Sequence, residues 1–301
     1  MRPQKSLRDE LRFIMEFGAL LEVMQQVAVS KLRGVEERSA DQASLMEVLS
    51  RDMFPLLPAS ARSHPFLRGD GRGQLLVVLT SDEGMVGPLH TAVIHQALLR
   101  AKENTQWLLI GQRGGRLLGR LAAHQRVLPF PEDEEVEHEM HRISRDILSQ
   151  FTREGLNEVW LIAPRFVSMT RQDVVAHQLL PLPAPSLTHD MDERERLIEP
   201  SVDRVVEQLA AVWVQDVCVE AFWSARRAEF AARALHVEGS RYELEKRTKA
   251  VRHEFFKILH ERVDVLVRET CLVQRRLVKS LSQHGSPAAV RRSGVSPAGV
   301  P

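Results

Sequence analysis

Two glycine clusters lie beside short apolar runs, where a loop could bind a phosphate group. The cluster at 69–73 precedes the apolar run 74–80, whereas a phosphate-binding loop must follow a strand and open a helix. The cluster at 111–115 does follow an apolar run, but its spacing is G-x-x-G-G rather than G-x-G-x-x-G. The sequence also lacks a G-x-x-x-x-G-K-S/T loop. We therefore predict that the chain binds no nucleotide cofactor.

The H-E-M-H segment at 138–141 has side chains that could bind a metal ion. A zinc-binding helix of the metalloprotease type needs two histidines four residues apart, with a glutamate beside the first. Here the histidines are three residues apart and follow the acidic run 132–135. The pattern predicts a solvated helix face and no metal site. Other histidines, such as His90, are predicted to lie at the surface or to be partly buried.

Ser81 stands next to Asp82, a pair that invites comparison with hydrolase nucleophiles. The sequence has no G-x-S-x-G elbow, and adjacent residues at a strand end usually point to opposite sides. A turn built by Asp82 and Gly84 after a strand is the simpler interpretation. We treat Ser81, Asp82, Gly84 and Gly87 as a turn motif and predict no catalytic residue in the chain.

Composition narrows the choice of partners. Lys plus Arg number 41 against 40 Asp plus Glu among 301 residues, so the net charge gives no preference for nucleic acid. Arg226 and Arg227 are predicted to lie on a solvated helix face.

Cys218 and Cys271 lack disulfide or zinc spacing, which favours a reducing compartment. No secretory signal is recognisable at the start, and no run of about 18 uncharged apolar residues predicts a membrane span.

The apolar pattern indicates long helices around a strand-bearing middle. Helix periodicity runs from Leu7 to Leu32, and a second helix is predicted near 42–53. Strands and helices then alternate in the middle of the chain: strands at 74–80, 107–110 and 158–163, with helices at 88–102 and 140–151. This alternation is typical of a parallel, Rossmann-like sheet.

A very long helix is predicted in the last third of the chain. After Pro200 no proline occurs until beyond Ser282, and about 80 helical residues would extend about 120 Å. Gly239 is a point where this helix could bend. The fold class is therefore α/β, with a long antiparallel coiled coil of the N- and C-terminal helices and a central Rossmann-like parallel-sheet domain. We expect these divisions: 1–55 for the first helix and connector, 70–190 for the α/β domain, 198–283 for the last helix and 284–301 for a disordered tail.

Several short motifs occur in a fixed order along the chain. They are V-M-Q-Q-V-A-V-S-K-L at 23–32, S-D-E-G-M-V-G at 81–87, I-G-Q-R-G at 110–114, F-V-S at 166–168, Q-L-L-P-L at 178–182 and E-P-S at 199–201. The ordered set resembles the gamma subunit of rotary F-type ATP synthases, whose first two motifs are Ala-Met-x-x-Val-Ala-x-x-Lys-Leu and Ser-Asp-Arg-Gly-Leu-Cys-Gly. The resemblance covers about residues 7–280.

The carboxyl-terminal arm departs from the family pattern. The family has Ala-Thr-Asp-Asn-Ala there, followed by Asn-Lys-x-Arg-Gln-x-x-Ile-Thr. In an ungapped register the Arg-Gln pair falls on Leu259 and His260, and the Asn falls on Phe256, so those contacts are not carried over. The resemblance is therefore to a divergent branch, such as the alternate N-type ATPases associated with sodium, and the coupling ion stays open between proton and sodium.

The resemblance implies a central-stalk rotor subunit that is non-catalytic by itself and couples ion flow to ATP synthesis or hydrolysis. In that family the paired terminal helices form a shaft inside a ring of three alpha and three beta subunits. The implied partners are the alpha, beta and epsilon subunits and the membrane ring of c subunits, at the cytoplasmic face of the bacterial inner membrane. No nucleic acid and no direct membrane span are expected.

Five residues are assigned to shaft and subunit contacts by position in the two arms: Met24, Val27, Lys31, Val263 and Leu266. An alternative function is a gamma-derived coiled-coil interaction protein without a rotor role, which the altered carboxyl-terminal arm motivates. A nucleotide-dependent enzyme is a third hypothesis, and the glycine spacing argues against it.

Overall fold

A computed structural model describes residues 4–39, 48–121, 124–183 and 198–284. The described residues form two compact units. One unit comprises those of Met1–Phe17 and Glu243–Pro301, and the other comprises those of Gly18–Tyr242. The second unit contains the whole sheet, and each terminal helix contributes to both units.

The sheet has five strands in the order β3-β2-β1-β4-β5. The strands are β1 Gly73–Leu79, β2 Thr105–Ile110, β3 Gln125–Leu128, β4 Leu156–Ser168 and β5 Arg171–Leu180. The first four are parallel, and β5 pairs antiparallel with β4. Strand β1 lies at the centre, which is why the six residues after Gly73 are all buried.

Six α-helices connect and cover these strands in the described part of the chain. They are α1 Gln4–Ser39, α2 Pro65–Arg68, α3 Leu89–Arg100, α4 Gln112–Leu118, α5 Val136–Arg153 and α6 Val202–His284. A π-helical turn, Leu49–Met53, and two short 3-10 turns, Phe54–Leu56 and Ala59–Ser63, precede α2, and a third 3-10 turn, Gly119–Leu121, follows α4. The long helix predicted after Pro200 is α6, and it continues through Gly239 without interruption.

The two faces of the sheet are covered by different helices. Leu76 and Val78 of β1 pack with Val93 and Ala97 of α3 and with Leu118 of α4. Alternate residues of the same strand enter the larger cluster on the opposite face, as the two-residue period of a strand requires. That cluster joins β1, α1, α5 and α6 through Leu75, Val77, Leu32, Val35, Met140, Ile147, Phe222 and Phe230.

Helix α1 buries one residue in every seven. Leu7, Ile14, Leu21, Ala28 and Val35 are each 5% exposed or less. A seven-residue repeat of buried positions is the pattern of a coiled-coil seam. By length and composition alone, α1 could also cross a membrane, because one 18-residue window has a mean hydropathy of 1.2. The seven-residue periodicity of its buried positions is instead typical of a helix that packs on a second helix.

In the unit formed by the two chain ends, α1 and α6 run antiparallel. Arg247 donates a 2.9 Å hydrogen bond from Nε to Oε1 of Glu10, and Arg262 donates a 2.7 Å bond to Oε1 of Gln4. Later residues of α6 therefore meet earlier residues of α1. The apolar cluster of this unit comprises Leu7, Ile14 and Val251, with Leu11, Leu244, Phe255 and Ile258 against it.

The same antiparallel pairing occurs within the second unit. Arg241 of α6 donates a 2.7 Å hydrogen bond to Oε1 of Gln25. The Nζ atom of Lys31 lies 5.6 Å from the ring centroid of Phe230. The predicted fold, an antiparallel helix pair with a Rossmann-like domain, is confirmed.

Two strands and one turn differ from the sequence prediction. Strands β3 and β5 were not predicted, and β5 makes the sheet mixed rather than wholly parallel. Of the helix predicted at 42–53, residues 42–47 lie outside the described residues, and Leu49–Met53 forms a π-helical turn. The predicted disordered tail after His284 also lies outside the described residues.

Candidate functional site: the carboxyl edge of the sheet and its contact with α6

The carboxyl edge between β1 and β4 is where a doubly wound sheet would bind a nucleotide. Chain direction along the sheet reverses there, since β2 and β3 lie on one side of β1 and β4 on the other. In this protein the position is covered by helix α6. Val86 and Leu89, which follow β1, pack with Ala228 and Ala232 of that helix in a separate buried cluster. Helix α6 therefore fills the crevice that a nucleotide cofactor would need.

The segment after β1 is held by polar contacts to its neighbours. One carboxylate oxygen of Asp82 accepts a 2.6 Å hydrogen bond from the backbone N–H of Gln112, and the other accepts a 3.1 Å bond from that of Phe130. Met85 and Gly87 have φ values of 63° and 59°, so the chain turns sharply through left-handed backbone conformations. These contacts orient a turn and leave both oxygens of Asp82 occupied.

Behind that turn lies a buried serine–histidine pair. The Ser81 hydroxyl lies 3.0 Å from Nε2 of His90 and 3.1 Å from the backbone oxygen of Glu83. The hydroxyl and Nε2 share a hydrogen bond whose donor is set by the tautomer of the imidazole. Ser81 is 2% exposed and His90 is 6% exposed, so no substrate can reach them. Burial has the largest effect on the pKa of His90 and lowers it, while the negative charge of Glu229 acts in the opposite direction. The prediction of a surface or partly buried His90 was wrong.

The same region contains a chain of ion pairs centred on α6. Glu229, with a side chain only 3% exposed, contacts Arg233 at 2.6 Å and Arg226 at 3.3 Å. Arg226 reaches Asp133 at 2.8 Å, and Arg233 reaches Glu83 at 3.0 Å. The network therefore joins the turn after β1, the segment before α5 and two turns of α6. It also corrects the prediction of a solvated face at Arg226, whose side chain is 16% exposed.

Sequence reasoning missed this network because its partners are far apart in the chain. Glu83 and Arg233 are separated by 150 positions, and no local pattern pairs them. The available signal was the spacing on α6 itself, where Arg226, Glu229 and Arg233 follow each other at three and four residues. Such positions share one helix face, and that face also carries alanines, which permit close packing.

The five residues assigned to shaft and subunit contacts lie on surfaces rather than in the buried seam. Met24 is half-buried and Lys31 is exposed. Val27 is 48%, Val263 51% and Leu266 67% exposed. Between residues 7 and 35 of α1, the buried positions are instead those of the seven-residue repeat, with Leu32. The assigned residues are thus available to other chains, and their roles stay predictions.

The H-E-M-H segment lies at the start of α5. Nδ1 of His141 is 2.9 Å from Oε1 of Gln215 on α6, and Glu139 pairs with Arg142 one turn later. Within the described ranges, which omit 1–3, 40–47, 122–123, 184–197 and 285–301, no group of three His, Cys, Asp or Glu side chains could hold a metal ion.

The amino-acid sequence of this chain is similar to that of a known protein family. The family model described as ATP synthase matches residues 4–255. The ATP synthase gamma chain of Ralstonia nicotianae is 27% identical over 255 residues, which cover 80% of this chain and 87% of that relative. The gamma chain of Erythrobacter litoralis is 26% identical over 235 residues, covering 71% of this chain and 79% of that relative.

Solved structures share the fold at lower identity. A chain in the rotor of the Euglena gracilis mitochondrial ATP synthase has a TM-score of 0.67 at 13% identity, covering 86% of this chain and 98% of that one. A chain from the central stalk and c-ring of the Tetrahymena thermophila enzyme has a TM-score of 0.55 at 17% identity, covering 73% and 99%. The resemblance drawn from the ordered motifs is confirmed: this chain belongs to the ATP synthase family.

Proposed function

We propose that this chain is the central-stalk rotor subunit, of the gamma type, of an F-type ATP synthase or ATPase. The observation that carries the proposal is the antiparallel helix pair: α1 buries one residue in seven, and of these residues Leu7 and Ile14 pack with Val251 of α6. A second apolar set on α1 remains exposed and available to a surrounding ring. That set is Phe13 at 64%, Leu20 at 53%, Val23 at 56% and Val27 at 48% exposure.

A shaft of this kind acts without touching ATP. Its asymmetric surface presents a different face to each of three chemically identical catalytic sites. It can shift the conformation of a site only by the difference in its contact free energy with the open and the closed state. Rotation then changes which site experiences each face. The covered carboxyl edge of the sheet fits this role, since the chain needs no nucleotide of its own.

The partners proposed for the chain are the alpha and beta subunits around the helix pair, and the epsilon subunit and c-ring near the α/β domain. The complex would lie at the cytoplasmic face of a bacterial inner membrane. For this role we propose the divisions 1–55, 70–190 and 198–283 as first shaft segment, α/β domain and second shaft segment.

We propose that the exposed shaft residues make the contacts to neighbouring subunits. Met24, Val27 and Lys31 lie on α1, and Val263 and Leu266 lie on α6. The exposure of Val27, Val263 and Leu266 in the single chain supports this assignment, because a side chain that contacts a partner must present accessible surface to it. The charged residues between them keep the surface soluble before assembly.

Copurification tests the proposal. A tagged copy of the chain, expressed in its native host, is expected to recover alpha and beta subunits at three copies each. Loss of ATP-driven ion uptake in a strain lacking the chain, restored by the wild-type copy, would complete the test. Recovery of the chain with other coiled-coil proteins and without alpha or beta subunits would favour the alternative of an interaction protein without a rotor role.

A further inference from the structure

The turn at residues 81–87, which we name the exit collar, contacts α6 where the last deeply buried residues of that helix occur in the sheet-containing unit. Val237 is fully buried, and residues 238–242 are exposed or half-buried. The ion pair between Glu83 of the exit collar and Arg233 is therefore made one turn before this last buried residue of the unit.

The exit collar meets one face of α6. Glu229, Arg233 and His236 are spaced by four and three residues, so they lie on the same side of the helix. Besides its ion pairs, Arg233 donates a 3.2 Å hydrogen bond from Nε to the backbone oxygen of Gly84. The ring of His236 lies beside Gly87, where an added Cβ would be 3.6 Å from its Nδ1 atom.

Arg233 can fix the exit collar against α6 because its side chain is buried and forms two ion pairs and a hydrogen bond. Its side chain is 8% exposed, so its charge is compensated by protein groups rather than by water. The charges facing it are Glu83 from the exit collar and Glu229 from its own helix. Removing either carboxylate leaves the guanidinium with less compensation, whereas a positive charge at position 83 places two cations side by side.

We propose that the exit collar anchors α6 to the α/β domain, with Arg233 as its positioning residue, so that rotation of that domain is transmitted to the helix at this contact. Gly239 lies two residues beyond Val237 and weakens the helix there, which increases the need for a firm contact just before it. The inference rests on the proposed rotor function. It assigns a role to Glu83, which stands where the resembling motif has arginine.

The test uses the reconstituted complex with variants at position 83. Glu83→Asp keeps the charge, Glu83→Gln removes it and Glu83→Arg reverses it. Glu103→Gln and Glu103→Arg serve as matched controls, because Glu103 is also exposed but lies before β2. The readouts are the ATPase rate and the ion uptake per ATP hydrolysed, measured for both protons and sodium in sealed vesicles.

We expect uptake per ATP to fall in the order Asp, Gln, Arg at position 83, by about threefold or more for Glu83→Arg, while the controls match the wild type. If Glu83→Arg does not assemble, Glu83→Gln is compared with its control Glu103→Gln instead. A lower ion uptake per ATP in Glu83→Gln supports the proposal, and equal uptake per ATP in the two variants overturns it. Equal coupling in wild type and Glu83→Arg overturns it directly. A wild-type chain that restores no uptake refutes the proposed function instead.

Discussion

Replacing either of two neighbouring leucines on α1 should lower the stability of the chain by very different amounts. Leu21 is fully buried in the seven-residue seam, whereas Leu20 is 53% exposed. Leu21→Ala removes buried apolar contacts and leaves a cavity, which costs about 2–5 kcal/mol in the free energy of unfolding. Leu20→Ala removes a side chain that is only half-covered, and alanine favours the helix, so its cost should stay below about 1 kcal/mol.

The comparison is made by urea unfolding of the isolated chain, followed by circular dichroism at a helix wavelength. With a denaturant slope of about 3 kcal/mol/M, Leu21→Ala should lower the unfolding midpoint by about 0.7–1.7 M. Leu20→Ala should shift it by about 0.3 M or less on the same slope. Equal shifts for the two variants, or a larger shift for Leu20→Ala, would refute the assignment of the seam.

Three other predictions test the shaft assignment, the buried histidine and the two thiols. Met24→Asp should uncouple ATP hydrolysis from ion uptake in reconstituted vesicles, because it puts a charge on the proposed contact surface; unchanged coupling would contradict it. Burial lowers the pKa of His90, so below about pH 6.5 the unfolded chain binds a proton that the native chain does not. Stability should therefore fall as pH decreases from about 7, by at most about 1.4 kcal/mol per pH unit for this group, and His90→Asn should reduce that slope. Burial raises the pKa of Cys218 to about 12, while Cys271 is exposed. A thiol reagent at about pH 8 should thus modify Cys271 quickly and Cys218 only after unfolding, because the thiolate is the reactive form; rapid reaction of both thiols in the native chain would refute the burial.

The elements that were predicted correctly are those whose apolar residues form a recognisable pattern in the local sequence. Strand β1 is buried on both faces, so its continuous apolar run was visible in the sequence. Strand β3, Gln125–Leu128, lies at the sheet edge with its first two residues exposed, and it lacks such a run. Strand β5, Arg171–Leu180, is largely half-buried, and five of its first eight residues are polar. Edge strands need less apolar surface, and for that reason local pattern did not reveal them.

The contacts at the carboxyl edge of the sheet could not be predicted because they depend on tertiary structure. Ser81 and His90 approach each other only after α3 folds back beside β1, and Arg233 reaches Glu83 only when α6 packs on the same edge. The sequence did indicate the turn after β1 and the absence of a phosphate-binding fingerprint. It did not indicate that α6 fills the crevice.

Rotation measured in a single complex tests the central claim most directly. The alpha and beta subunits are fixed to a surface, and a probe is attached to the α/β domain of this chain. With ATP present, the account predicts sustained rotation of the probe in one direction. An intact, ATP-hydrolysing complex in which the probe shows no directional rotation would contradict it.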